Sequence, residues 1–260
     1  MKNAASSSNT IVFVHGLFVN PTSWAGWKTW FESKGYTVYT PSNPGHTGNP
    51  AELRANPPAG LGKIDFEQVV KHQAAFIDTL PEKPILIGHS LGGLIVQKLL
   101  SMGKGVAGVM IDGAAPVGII TTTWSFWKSS FPVINYFKGN SPFTGSKDWF
   151  HYTFGNTLSK AESDKVYDEI VVPESRNIAR GTLKSFAKID FKKPHVPMLF
   201  IAGEKDNIIP ADLNRKNFLA YKDKNSTREF RQFQGRSHYI VGQDGWEEVA
   251  TYVLDWVRSN

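Results

Sequence analysis

The sequence contains no cysteine among its 260 residues. This absence excludes disulfide bonds, thiolate metal ligands and cysteine nucleophiles, and it is typical of a reducing compartment. No run approaches the ~20 consecutive apolar residues of a membrane-spanning helix. Residues 1–10 are polar and lack the apolar core of a secretory signal peptide. We therefore expect a cytoplasmic protein with no membrane partner.

A strong charge of one sign is also lacking, since the formal net charge is only +6. The one noticeable basic cluster, Lys188, Lys192 and Lys193, is expected to be a solvated surface. Because no nucleic-acid-binding motif accompanies it, we expect no nucleic-acid partner. A small molecule is the expected ligand of a monomer or homodimer.

Apolar runs alternate with helical patterns in most of the chain. Runs typical of buried strands lie at residues 11–14, 37–40, 84–87, 106–111 and 196–202. A sixth run, 228–233, alternates charged and apolar residues as an edge strand does. Strands that alternate with helices form parallel sheets, so the sequence predicts an α/β fold with a mostly parallel central sheet of about six strands flanked by helices.

The segment 88–93 reads Gly-His-Ser-Leu-Gly-Gly and lies between a predicted strand and a helical pattern. This order is typical of a nucleophile elbow, in which a tight turn holds a serine hydroxyl on a strained corner. The following helix N-terminus points unpaired N–H groups at any oxyanion formed there. Ser90 is the predicted nucleophile, and the Leu91 amide is the predicted first oxyanion donor.

The loop after the first strand supplies the second predicted oxyanion donor. Gly16 permits its backbone to approach Ser90 closely, and Leu17 is then the expected donor. Phe18 in this loop and His89 in the elbow are predicted to border the substrate pocket.

A serine nucleophile needs a general base, and the base needs an orienting carboxylate. Of seven histidines, His238 is predicted to be the base, because it follows the last strand in a loop that can reach the elbow. Asp206 is the predicted acid, since it lies in the loop after the strand ending at Ala202. Asp112, which also ends a strand, and Glu204 remain alternatives.

The strand rhythm stops between residues 116 and 190, where aromatic residues become frequent. We predict a core domain of residues 1–115 and 191–260 and a helical cap or lid of residues 116–190. Such an insertion would cover the carboxyl edge of the sheet, where open parallel sheets bind ligands. Trp124, Trp127 and Phe150 are predicted to line a hydrophobic pocket. A structural extension packed on one side of the core is the alternative.

Taken together, four motifs resemble those of the α/β-hydrolase superfamily. They are FVHGLF at 13–18, GHSLGG at 88–93, AGEKDNIIP at 202–210 and GRSH at 235–238. The resemblance implies an α/β-hydrolase fold and ester hydrolysis through an acyl-serine, without metal or cofactor. The first strand begins near residue 11, so the two N-terminal strands of the family's eight-stranded sheet are expected to be missing.

The functional prediction is a serine hydrolase that cleaves a small, largely apolar carboxylic ester with Ser90, His238 and Asp206. Lactone or amide hydrolysis, perhydrolysis and lyase activity at the same site remain alternatives. A ligand receptor that retains the triad and turns over slowly is the alternative from another class.

Overall fold

The computed structural model describes residues 8–260, so the polar segment 1–10 lies mostly outside the described residues. Six strands form one sheet: β1 (Thr10–Val14), β2 (Thr37–Tyr39), β3 (Ile85–His89), β4 (Ala107–Ile111), β5 (Met198–Gly203) and β6 (Arg228–Phe233). Their order is β2-β1-β3-β4-β5-β6, and every neighbouring pair is parallel. The predicted six-stranded parallel sheet is confirmed, and β6 is an edge strand as its alternation predicts.

Within residues 8–260 the chain forms ten α-helices. They are α1 (Ala25–Glu32), α2 (Pro50–Ala55), α3 (Phe66–Ile77), α4 (Leu91–Ser101), α5 (Trp124–Ile134), α6 (Lys147–Thr153), α7 (Lys160–Ile170), α8 (Arg176–Gly181), α9 (Ala211–Ala220) and α10 (Trp246–Ser259). Short 3-10 turns lie at Pro21–Trp24, Leu61–Lys63, Tyr136–Lys138 and Ser185–Ala187. None of the helices in this range combines the length and the apolar character needed to cross a membrane.

Apolar side chains cover both faces of the sheet, because successive residues of a strand point to opposite sides. In β1, Ile11 and Phe13 pack with α1 and α10, whereas Val12 and Val14 pack with α3 and α4. All four side chains are fully buried. The sheet is therefore a central layer covered by helices on both faces, and the loops at its carboxyl edge begin from mostly buried strand ends.

Residues 116–190 connect β4 to β5 and carry the helices α5, α6, α7 and α8. Their apolar side chains form a separate third cluster, which includes Phe150, Phe154 and Val171 and also takes in Phe18 and Val19 of the core. The segment after β1 is thus packed directly against the insertion. The domain boundaries at 115/116 and 190/191 stay a prediction.

Candidate active site

Ser90 lies between β3 and α4 with φ 58° and ψ −125°, a conformation that few non-glycine residues adopt. The neighbouring backbone fixes it on both sides. Ser90 N donates to Ile111 O at 3.0 Å, and Ser90 O accepts from Gly93 N at 3.0 Å and Ala114 N at 2.9 Å. Such strain costs on the order of 1–3 kcal/mol and persists only where the surroundings impose it. The predicted elbow therefore has the strained geometry that its motif implies.

Two glycines of the elbow have no room for a side chain. A Cβ on Gly88 would lie 2.2 Å from Gly92 O, and a Cβ on Gly92 would lie 2.0 Å from Val14 O. Both contacts are with backbone atoms, which cannot move aside without shifting β1 or α4. The glycine spacing that identifies the motif thus reflects the close approach of two strands and a helix.

The loop after β1 comes equally close to the nucleophile. A Cβ on Gly16 would lie 2.7 Å from Ser90 Cβ. In this loop, Phe18 N donates to Glu174 Oε2 at 3.4 Å, whereas the N–H of Leu17 makes no hydrogen bond within residues 8–260. The N–H of Leu91, in the elbow, makes none in this range either. Both predicted oxyanion donors are uncommitted in this structure.

His238 and Asp206 form a short hydrogen bond in the protein interior. The distance between His238 Nδ1 and Asp206 Oδ2 is 2.6 Å, and both side chains are fully buried. The other oxygen of the carboxylate, Oδ1, accepts from Ile208 N and Ile209 N at 2.8 Å each. These two amides orient Asp206, and Asp206 in turn orients the His238 ring.

The opposite nitrogen of His238, Nε2, is buried and has no hydrogen-bond partner within residues 8–260, Ser90 included. Serine–histidine bonds are often long in free enzymes. Burial lowers the pKa of His238, which favours the neutral ring at physiological pH. With Nδ1–H directed at Asp206, the lone pair lies on Nε2. This nitrogen can accept a proton.

Two further side chains hold the His238 ring. His89 Nε2 is 2.8 Å from His238 O, and the two ring centroids are 4.6 Å apart. Burial lowers the pKa of His89, so its neutral Nε2–H is a donor to this carbonyl. The ring of Phe154 packs edge-on against the ring of His238, with 4.8 Å between the ring centroids. His89, predicted to border the substrate, is thus hydrogen-bonded to the backbone of His238.

The alternatives for the acid occupy different positions. Glu204 is partly exposed, accepts from Gly235 N at 2.9 Å and pairs with Lys205. Asp112 is fully buried and accepts from Gly203 N at 2.6 Å. Of the three carboxylates, Asp206 is the one that hydrogen-bonds to His238.

A buried ion pair, which the sequence reasoning did not identify, joins the insertion to the loop of the predicted oxyanion donor. Glu174, 1% exposed, accepts from His46 Nε2 at 3.0 Å and from Phe18 N through the same oxygen. Burial alone would lower the pKa of His46. The attraction and hydrogen bond of the Glu174 carboxylate have the larger effect, so the pKa of His46 is raised. The feature of the sequence that could have pointed to Glu174 is its position, a charged residue directly after the apolar run Val171, Val172 and Pro173.

The other predicted pocket residues differ in their burial. Phe18 and Phe150 are fully buried in the third cluster, where Phe150 stacks on Phe154 at 5.1 Å. Trp124 and Trp127 are 74% and 44% exposed. Burial thus divides the four aromatics into two groups, and their place in a substrate pocket stays a prediction.

Three side chains, His89, Asp112 and His238, offer ligand atoms within 4.8 Å of one another. Each of them already hydrogen-bonds to a protein group, namely His238 O, Gly203 N and the Asp206 carboxylate. This bonding favours a proton-transfer network over a metal centre at the same place.

Comparisons with known proteins bear on the family and the fold. Residues 11–251 match the model of a family described as the alpha/beta hydrolase family. No curated protein matches the chain. A solved monoacylglycerol lipase from Paleococcus ferrophilus is 22% identical, with 96% of this chain and 94% of that chain covered and a TM-score of 0.72. Tomato methylketone synthase I is 17% identical (97% and 99% covered, TM-score 0.73), and an esterase from Thermogutta terrifontis is 15% identical (97% and 90%, TM-score 0.70). At these identities the structures show a common fold.

Proposed function

This chain is a hydrolase of the alpha/beta hydrolase family, and we propose that it cleaves carboxylic esters through an acyl-serine formed on Ser90. The observation that carries the proposal is the buried 2.6 Å bond between His238 and Asp206. It lies at the same edge of the sheet as the strained Ser90, because all three residues follow the carboxyl ends of parallel strands. Nucleophile, base and acid are the parts that acyl transfer requires.

In the proposed first half-reaction, Ser90 Oγ attacks the ester carbonyl carbon while His238 Nε2 takes the hydroxyl proton. The amides of Leu17 and Leu91 hydrogen-bond to the oxyanion of the tetrahedral intermediate. His238 then gives its proton to the leaving oxygen, the C–O bond breaks, and the alcohol departs. Each oxyanion donor contributes on the order of 3 kcal/mol to the transition state.

In the second half-reaction, a water molecule gives a proton to His238 Nε2 and attacks the acyl-serine carbonyl. Collapse of this intermediate returns the proton to Ser90 Oγ and releases the acid. Asp206 keeps the imidazole in the required tautomer throughout and stabilises the imidazolium. Every proton in this scheme passes through His238, so no metal or cofactor is part of it.

The proposed substrate is a small, largely apolar ester, and the proposed cap is the insertion of residues 116–190. Two contacts support a cap over the site: Phe154 of the insertion packs against His238, and Glu174 holds the Phe18 amide. Phe154 is apolar, and the carboxylate of Glu174 is paired with His46. Such groups beside the carboxyl edge of the sheet suit an uncharged acyl group. A monomer or homodimer in the cytoplasm remains the expected state.

The test is an activity screen with p-nitrophenyl esters of increasing acyl length, together with lactones and anilides. We expect turnover of short-chain esters that Ser90→Ala abolishes. Ser101→Ala, at the exposed far end of α4, is the matched control and should keep wild-type turnover. Ester turnover that survives in Ser90→Ala contradicts the proposal. Ligand-induced thermal stabilisation without any turnover would favour the receptor alternative instead.

A further inference from the structure

Asp112 is a buried carboxyl group that the proposed mechanism does not use. It follows β4 directly, is 0% exposed and has φ 43°, a positive value that is uncommon for residues other than glycine. Its Oδ1 accepts from Gly203 N at 2.6 Å. Its Oδ2 is buried and has no hydrogen-bond donor within residues 8–260. A buried carboxylate oxygen without a donor is costly, so the group requires an explanation.

A carboxyl oxygen of Asp112 lies within 4.8 Å of a ring nitrogen of His238, whose Nδ1 bonds to Asp206. The Asp112 and Asp206 side chains are thus neighbours, close enough for a hydrogen bond when one of them is protonated. A carboxylate offers about four acceptor positions, and N–H donors fill three of those on Asp206: Ile208 N, Ile209 N and His238 Nδ1. One position on Asp206 therefore remains for a donor. Two ionised carboxylates in contact would only repel each other, whereas one proton between them makes a hydrogen bond.

The titratable groups that face Asp112 are Asp206, His89 and His238. Within the described part of the chain, no lysine or arginine forms an ion pair with either aspartate. Burial and the charge of Asp206 raise the pKa of Asp112, against the opposing effect of the Gly203 amide. The proton is better placed on Asp112 than on Asp206, because Asp206 receives three N–H donors and Asp112 receives one.

We propose that Asp112 is a neutral carboxylic acid that donates its proton to Asp206 and so acts as a positioning residue for His238. The inference rests on the proposed function of Ser90, His238 and Asp206. One consequence is that the fourth acceptor position of Asp206 is also filled by a donor. The other is that His238 faces a single negative charge rather than two, which keeps its pKa low enough for Nε2 to act as a base.

The test compares Asp112→Asn with Asp112→Ala. Asparagine reproduces the protonated acid, since its oxygen can accept from Gly203 N and its amide can donate to Asp206. We expect Asp112→Asn to retain most of kcat/KM with an acid limb of the pH profile that overlays the wild type. Asp112→Ala should lower kcat/KM by about tenfold or more, the loss expected for one hydrogen bond that orients a charged group. Thermal unfolding of both variants separates this loss from misfolding.

If Asp112 is ionised instead, Asp112→Asn removes a negative charge beside His238 and shifts the acid limb to lower pH, which would overturn the inference. Infrared spectra provide a readout that does not depend on turnover. The wild type at neutral pH should show a protonated-carboxyl stretch that Asp112→Asn lacks. Absence of this band also overturns the inference. A wild type that shows the band but hydrolyses no ester contradicts only the proposed function.

Discussion

At the scale of single residues, the site depends on backbone contacts too close to accept a side chain. Gly16 is the most sensitive test, because its Cβ would lie 2.7 Å from Ser90 Cβ. We expect Gly16→Ala to push the loop of Leu17 away from Ser90 and to lower kcat about 100-fold, as loss of an oxyanion donor does. Gly26→Ala in α1 is the control, since its Cβ would meet only the Trp246 ring at 3.2 Å. Equal activity of the two variants would contradict the assignment of the Leu17 amide in this loop as an oxyanion donor.

A second prediction at this scale concerns Asp206, the acid that orients His238. Asp206→Asn should reduce kcat by about 10⁴-fold, because an amide that donates to Nδ1 imposes the wrong tautomer on His238. Glu204→Gln, in the same loop but partly exposed and bonded to Gly235 N, should have little effect. Steady-state kinetics of both variants provides the measurement. If Glu204→Gln were the crippling change, the acid would be misassigned.

The pH profile is a third prediction at the residue scale. The base must be neutral, so kcat/KM falls as pH drops through the pKa of His238. Burial lowers that pKa, and we expect the activity plateau to extend below about pH 6.5, the ordinary pKa of imidazole. Initial rates in buffers of constant ionic strength measure the limb. A midpoint above pH 7 contradicts the environment described for His238.

At the scale of elements, much of the framework could be predicted from the sequence, because local patterns determine it. The capping box of α3 is an example: Asp65 accepts from Gln68 N, and the Gln68 side chain accepts from Asp65 N, each at 2.9 Å. Glu174 shows the opposite case. Its partners His46 and Phe18 are 128 and 156 residues away in the chain. No local pattern encodes such a pairing.

The Glu174–His46 pair gives a prediction for stability and activity together. Glu174→Ala leaves a buried imidazole without its partner and frees the Phe18 amide. We expect the free energy of unfolding to fall by about 3–5 kcal/mol, with a lower kcat at temperatures where the variant is folded. Glu32→Gln, which breaks the exposed pair with Lys28 in α1, should change stability by less than about 1 kcal/mol. Equal unfolding midpoints in a denaturant titration of the two variants would contradict a structural role for the buried pair.

At the scale of the whole molecule, the sheet order brings together residues that are far apart in the chain. Ser90, Asp206 and His238 follow β3, β5 and β6, and parallel strands place all three at one edge. This part of the site could be predicted, since strand ends and turn residues are local signals. The insertion could not, because the burial of its aromatics depends on packing against Phe18 and Val19. Phe150 and Trp124 have similar side chains and opposite exposures.

The central claim is that Ser90 is a nucleophile activated by His238 and Asp206. Its most direct test is covalent labelling with an organophosphonate, followed by intact-protein mass spectrometry and peptide mapping. We predict one adduct per chain, located on Ser90 and absent from both Ser90→Ala and heat-unfolded protein. An adduct that persists in folded Ser90→Ala, or that maps to another serine in the wild type, would contradict the claim.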